Sequence, residues 1–227
     1  MNFGDITNIP LANRIGKRAQ RDVALFQDVL IRVIYEIDNA AEIHGSTAIW
    51  RCYGGRRFSK DIDVYVSSRE KWEELGRRIT ETAGRYNAKV IKRKDTGNLI
   101  FIELLMDDIY SEIDINYKKY YGAPLVKRYE NLDGTFYEVL TLPPEVLILE
   151  KIDAYNDRKY ITDLYDMRVL LDHAKLDAIR PELKAFVSSL KEPAQLKAEE
   201  SRLQDLVYEG PVPSFKSIVE HITELVA

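Results

Sequence analysis

The 227-residue sequence contains one cysteine, Cys52, and only three histidines. A single cysteine excludes an internal disulfide and is typical of a reducing compartment, so we expect a cytoplasmic location. The histidines have no zinc-ligand spacing with one another or with the cysteine, and a zinc site is therefore not expected. The three are His44, His173 and His221.

Long apolar runs are also missing. None approaches the roughly 18–20 residues that cross a bilayer, and the N-terminus does not resemble a secretory signal, so we expect no membrane partner. The sequence has neither a Gly-x-x-x-x-Gly-Lys-Ser/Thr phosphate loop nor a Gly-x-Gly-x-x-Gly dinucleotide motif. Any nucleotide must therefore be bound by another arrangement of residues.

The charge is small overall but unevenly distributed. The formal net charge of −4 argues against a protein that simply coats nucleic acid. Residues 1–130 hold 22 Lys+Arg against 19 Asp+Glu, a net of +3, and the remainder holds 11 against 18, a net of −7. A polyanionic partner would therefore bind the first part more readily, where basic residues cluster at Arg56-Arg57, Arg77-Arg78, Lys92-Arg93-Lys94 and Lys118-Lys119.

Apolar periodicity divides the chain into two parts. Spacings of three and four predict helices at residues 22–40 and 69–86, and a short helix at 47–53. Alternation predicts strands at residues 61–66, 89–93, 99–105 and 109–117. From residue 145 onward the pattern is helical with short breaks. We therefore predict an α/β or α+β sheet domain over residues 1–140 and a helical domain over residues 141–227.

Two aspartates on the first strand indicate a metal site. Period-two geometry places Asp61 and Asp63 on one face, about 6.5–7 Å apart along the chain. Carboxylates so close repel one another unless a cation lies between them, and a divalent metal prefers such oxygen ligands. Gly45-Ser46, at the start of a helix, offers N–H groups and a hydroxyl to a phosphate. The alternatives are an exposed strand face and an ordinary helix cap.

A second acidic strand follows at residues 109–117. Glu112, Asp114 and Asn116 share one of its faces, and a third carboxylate would reach the same metal if this strand lay beside the first. We favour Asp114, which stands between Ile113 and Ile115, over Glu112. The alternative is an exposed acidic strand face.

A later helix carries a candidate phosphate-binding face. Lys151, Tyr155 and Arg158 lie at i, i+4 and i+7 and therefore share one side of that helix. An arginine there can bind phosphate through two hydrogen bonds. The alternative is an exposed, salt-bridged helix face.

These segments, in this order, resemble the nucleotidyltransferase superfamily that includes DNA polymerase β. Within it the chain resembles the AbiEii/AbiGii-type toxin family, through motifs spread over residues 43–171. The superfamily resemblance rests on Gly45-Ser46, Asp61-Ile62-Asp63 and Ile113-Asp114-Ile115. The toxin-family motifs are His44-Gly45-Ser46-Thr47-Ala48-Ile49, Arg57-Phe58-Ser59-Lys60-Asp61-Ile62-Asp63, Glu150-Lys151-Ile152-Asp153-Ala154 and Tyr160-Ile161-Thr162-Asp163-Leu164-Tyr165-Asp166-Met167.

The resemblance implies an α+β fold, with a mixed sheet flanked by helices and an all-helical C-terminal domain that closes over the nucleotide. It implies that Asp61 and Asp63 bind Mg²⁺ or Mn²⁺, with Asp114 as the third carboxylate. Gly45 and Ser46 would hold the triphosphate of an NTP.

The resemblance also extends to the helical part. Lys151 would reach substrate phosphate, and Asp163 and Asp166 match the family's late Asp-x-x-Asp motif. Thr162 stands where the family often has arginine, which favours helix packing as the role of that motif. Arg57 is a further candidate site residue.

The expected reaction is transfer of NMP from an NTP to an acceptor hydroxyl, with release of pyrophosphate. The toxin-like resemblance suggests RNA as the acceptor and a cognate antitoxin protein as a partner. Two alternatives remain open: an antibiotic-type enzyme that modifies a small molecule, and a catalytically silent relative that binds another protein.

Overall fold

The computed structural model describes residues 9–106, 108–117 and 122–226. Its N-terminal part is a seven-stranded sheet in the order β3-β4-β5-β2-β1-β7-β6. β2 pairs in parallel with β5 and β1 with β7, and the other neighbours are antiparallel. The strands are β1 (Glu42–His44), β2 (Ile62–Tyr65), β3 (Lys89–Asp95), β4 (Leu99–Met106), β5 (Ile109–Asn116), β6 (Leu125–Glu130) and β7 (Phe136–Thr141).

Four helices accompany the sheet: α1 (Leu11–Arg14), α2 (Arg18–Ile37), α3 (Gly45–Cys52) and α4 (Arg69–Arg85). α2 and α4 cover one face of the sheet. Buried and half-exposed residues alternate along β4, and the buried ones lie on this face. The buried set, Ile100, Ile102, Leu104 and Met106, belongs to the same core as α2 and α4. The opposite face of β4 and β5 is consequently more open, and it carries the acidic residues of β5.

The C-terminal part is helical. It comprises α5 (Pro144–Arg158), α6 (Ile161–Leu171), α7 (Arg180–Ser189), α8 (Leu196–Leu206) and α9 (Phe215–Val226), with a 3₁₀ turn at Leu176–Ala178. These helices have a second apolar core, which also includes Ile49 and Tyr53 from α3 and its end. α3 therefore connects the sheet to the helical part. The fold is the expected α+β arrangement, while the domain boundary at residue 140 stays a prediction.

The sequence missed α1 and three of the strands. β1 is only three residues long, and β6 and most of β7 are exposed, so their residues lack the apolar alternation that marks a half-buried strand. The short helix was predicted to begin at residue 47, but α3 begins two residues earlier, at Gly45. None of the helices in the described part of the chain is long and apolar enough to cross a membrane.

Candidate active site

The centre of the sheet brings the three aspartates together. Asp63 on β2 lies directly beside Asp114 on the parallel strand β5, and His44 on β1 lies on the other side of Asp63. Neighbouring strands are about 4.8 Å apart, so these side chains form one row across the same face. Asp61 immediately precedes β2, and its Oδ1 accepts a hydrogen bond from the backbone N–H of Glu112 at 2.8 Å. The expected adjacency of the two acidic strands is therefore present.

Gly45 forms the other wall of this centre. Its φ of +68° is a conformation that side-chain-bearing residues rarely adopt, and an added β-carbon would overlap the Asp63 carboxylate. The start of α3 therefore lies directly against Asp63. Thr47, in the first turn of α3, donates its hydroxyl to the backbone oxygen of Asp61 and holds the two segments together.

The carboxylates are short of compensating charge. Burial raises the pKa of Asp61 to about 6, and burial with the neighbouring Asp63 raises the pKa of Asp114 to about 6 as well. Asp114 Oδ1 is buried and has no hydrogen-bond partner within the described residues. An oxygen atom so placed costs free energy unless a cation or a donor reaches it.

Within residues 9–106, 108–117 and 122–226, no group of three or more His, Cys, Asp or Glu side chains forms a complete metal-binding site on its own. Mg²⁺ does not require a cage, because it commonly binds through one or two carboxylates and completes its shell with water and substrate phosphates. The all-oxygen donor set of Asp61, Asp63 and Asp114, with its orphaned oxygen, fits such an ion.

These residues line a cleft of about 290 Å³ between the sheet and α5. One wall is acidic, the other is the helix face that carries Lys151 and Arg158, and the start of α3 closes one end. The full lining is His44, Gly45, Ser46, Asp61, Asp63, Glu112, Asp114, Glu150, Lys151, Ala154 and Arg158.

An ion-pair network, buried except at Arg158, joins α5, α6 and the loop after α3. Arg57 binds Asp166 through two hydrogen bonds of 2.6 and 2.5 Å. Lys151 lies 3.1 Å from Asp163 and 2.8 Å from Asp166. Burial alone would raise the pKa of Asp166, but the charges of Arg57 and Lys151 outweigh it and lower that pKa. Arg158 completes the network by binding Asp163 at 2.7 and 2.8 Å.

A known protein family matches the part of the chain that contains these segments. The sequence profile of the AbiEii nucleotidyltransferase toxins of type IV toxin–antitoxin systems matches residues 33–221. The chain belongs to this AbiEii family. It is therefore a nucleotidyltransferase, and the matched range contains every candidate residue named above. No curated protein sequence matches the chain.

Solved structures resemble the fold at low sequence identity. JHP933 from Helicobacter pylori has a TM-score of 0.53 and 18% identity, over 89% of this chain and 90% of that one. A putative nucleotidyltransferase from H. pylori gives the same TM-score and identity, over 89% and 92%. These likenesses support the fold of the AbiEii chain.

The cationic face predicted on α5 of this AbiEii chain is not free. Lys151 and Arg158 do share one side of the helix and line the cleft, but both are bound to the aspartates of α6. Thr162 favoured helix packing as the role of Asp163 and Asp166. Their two carboxylates in addition bind three cations, which leaves the group with one net positive charge. The helical period predicted which residues share this face of α5. It did not predict the aspartates that bind them, because those lie on α6.

Ser46 belongs to the same network. Its Oγ donates to Asp166 at 3.0 Å and accepts from Lys151 at 2.8 Å and from Arg57 at 2.7 Å. The hydroxyl is thus held in place at the start of α3. Any phosphate bound at Gly45-Ser46 would lie next to the Lys151 ammonium.

Two cleft residues were not singled out from the sequence of this AbiEii chain. His44 stacks on Tyr65 with ring centroids 4.1 Å apart, and its Nδ1 lies 3.4 Å from Glu150. Burial alone would lower the pKa of His44, but the Glu150 carboxylate raises it above the usual value. The available signal was sequence adjacency, because His44 precedes Gly45 and Glu150 precedes Lys151 in the matching motifs.

Proposed function

We propose that the chain transfers NMP from an NTP to a hydroxyl of RNA in a reaction that depends on Mg²⁺ or Mn²⁺. Family membership supports nucleotidyl transfer, and we add to it the RNA acceptor and the divalent metal. One observation carries the proposal. Asp61, Asp63 and Asp114 converge in a cleft where Asp114 Oδ1 is buried without a partner and Gly45 leaves room for nothing but hydrogen beside Asp63.

Asp61, Asp63 and Asp114 would hold the metal ions. When bound, divalent ions stabilise the attacking and leaving oxygens of a phosphoryl displacement. Asp114 would also orient the acceptor hydroxyl and accept its proton. Of the three carboxylates it is the one next to β4, on the open face of the sheet.

Gly45, Ser46 and the first turn of α3 would bind the triphosphate, since helix N-termini favour anions. Lys151 and Arg158 would offset the charge that develops on the phosphates. Their partners Asp163 and Asp166 would fix the position of both cations, and Arg57 would fix Asp166 and Ser46.

RNA is the acceptor we favour, because the chain belongs to a toxin family and its first 130 residues carry net positive charge. We expect a cognate antitoxin protein to restrain the enzyme in the cell.

The test is to incubate the protein with each α-labelled NTP, magnesium and total cellular RNA. Asp61→Asn is the inactive blank. Asp153→Asn, an exposed carboxylate on α5, is the matched control and should label RNA like the wild type. Label in an RNA band that depends on Asp61 supports the proposal. Label only in small molecules would favour an antibiotic-type enzyme, and no label despite nucleotide binding would favour a protein-binding module.

A further inference from the structure

The exposed edge strand β3 concentrates positive charge on one face of the sheet. Lys89, Lys92 and Lys94 pair with Leu105, Glu103 and Phe101 of β4, and these three β4 residues lie on the half-exposed face. Simple alternation would have placed residues 89, 91 and 93 together. A register shift between Val90 and Lys92 instead brings the three lysines to one face.

This is the face that carries the candidate active site. Cross-strand partners lie in one row that runs from Lys94 over Phe101 to Asp114 and on to Asp63. With strands about 4.8 Å apart, the β3 backbone is roughly 10 Å from that of β5. A strand end whose hydroxyl reaches Asp114 from β3 would therefore pass over Phe101.

The lysines are available to a ligand. Among the described residues, no carboxylate lies within ion-pair distance of Lys89, Lys92 or Lys94, and all three side chains are exposed. Lys92 lies over the ring of Phe101, with 5.6 Å from Nζ to the ring centroid.

The other basic clusters are used differently. Arg57 is buried against Asp166, and Arg77 is bound to Glu81 at 2.5 Å. Arg93 lies against Gly76 of α4, on the opposite face of the sheet. Lys118-Lys119 lies outside the described residues.

We propose that Lys89, Lys92, Lys94 and Phe101 form the docking surface for the single-stranded 3′ end of the RNA acceptor. The lysines bind successive phosphates, and Phe101 stacks under a base next to the reacting nucleotide once Lys92 turns from the ring to its phosphate. Glu103 and Glu112 are direct cross-strand neighbours on the same face and repel phosphate, which directs the strand along the row of Phe101. This inference rests on the proposed RNA acceptor.

The test compares three variants with the wild type: Lys89→Gln/Lys92→Gln/Lys94→Gln, Phe101→Leu, and a charge-matched control, Lys184→Gln/Lys191→Gln/Lys197→Gln, on the exposed surface of the helical part. Binding of a fluorescent single-stranded RNA is measured against salt, alongside NMP transfer to RNA and thermal stabilisation by NTP and magnesium.

We expect the β3 variant to bind RNA at least about tenfold more weakly, and to lose about 2 from the slope of log affinity against log salt, roughly 0.7 for each phosphate contact. Phe101→Leu should weaken binding several-fold and leave the slope unchanged, because stacking carries no counterions. The control triple should behave like the wild type. Stabilisation by NTP and magnesium should be equal in all four proteins.

Wild-type labelling of RNA together with an unaffected β3 variant would overturn this surface and leave the proposed function standing. Equal losses in the β3 and control triples would also overturn it, because net charge alone would then explain the effect. If the wild type neither binds nor labels RNA, the proposed acceptor fails and the docking surface fails with it.

Discussion

At Gly45 the backbone adopts a φ of +68° while the α-carbon lies against the Asp63 carboxylate. Gly54 has a similar φ of +73°, but nothing lies within 4 Å of the position of its missing β-carbon. Substitution of either glycine therefore costs backbone conformational free energy, but only at Gly45 would the added β-carbon also overlap a neighbouring side chain. That difference separates a conformational role from a role in the site.

We predict that Gly45→Ala destabilises the fold by more than the roughly 1–2 kcal/mol expected for an alanine in the left-handed region, and that it abolishes nucleotidyl transfer by displacing Asp63. Gly54→Ala should lose about that conformational amount and retain transfer. Urea unfolding and the rate of NMP transfer measure both effects. Comparable loss of transfer in the two variants would contradict the close-approach argument.

Asp61 and Asp63 crowd like charges into a cleft. We predict that Asp61→Asn or Asp63→Asn abolishes transfer and leaves the free energy of unfolding unchanged or slightly higher in metal-free buffer, because the substitution relieves that repulsion. Asp153→Asn provides the control for a lost surface carboxylate. Full activity of either site variant at ordinary magnesium would remove these residues from the mechanism.

At the scale of elements, α6 ties the sheet part to the helical part. Asp166 on α6 binds Arg57 from the loop after α3 and Lys151 from α5, and the side chains of all three are nearly inaccessible to solvent. Removing one partner from a buried pair leaves an uncompensated charge, which costs far more than the pair contributes.

We predict that Asp166→Asn lowers the free energy of unfolding at neutral pH by about 3–5 kcal/mol. Asp172→Asn, an exposed control just after α6, should change it by less than about 0.5 kcal/mol. The lowered pKa of Asp166 means that its contribution is present above the unfolded pKa and lost as pH falls through the folded pKa. The difference from wild type should therefore shrink below about pH 4, and a constant difference in acid would contradict this account.

Sequence periodicity predicted β2 and β5 and hence the carboxylates, because both strands alternate apolar and acidic residues. It could not predict that Asp163 and Asp166 neutralise Lys151 and Arg158, since that depends on how α6 packs on α5. It also could not predict the register shift in β3, because a bulge moves the following side chains to the other face of the strand without any change in composition. Short or exposed strands such as β1 and β6 carry too little apolar pattern to be found.

For the whole molecule, the cleft lies between two parts that have separate apolar cores. Its acidic wall comes from the sheet, and its ion-paired wall comes from α5. A ligand that contacts both walls binds only the folded arrangement of the two parts. Substrate binding is therefore linked to the stability of the whole chain.

We predict that an NTP with magnesium or manganese raises the free energy of unfolding by about 2.7 kcal/mol at a ligand concentration a hundredfold above its dissociation constant. For a chain of this size each kcal/mol raises Tm by roughly 2–4 °C, so the melting curve should shift upward by about 5–10 °C. The shift should require metal and nucleotide together, because the carboxylates repel a triphosphate that carries no cation. Asp63→Asn should weaken the shift and Asp153→Asn should preserve it. A melting temperature indifferent to every combination of NTP and metal would contradict a nucleotide site in this cleft, whatever the acceptor.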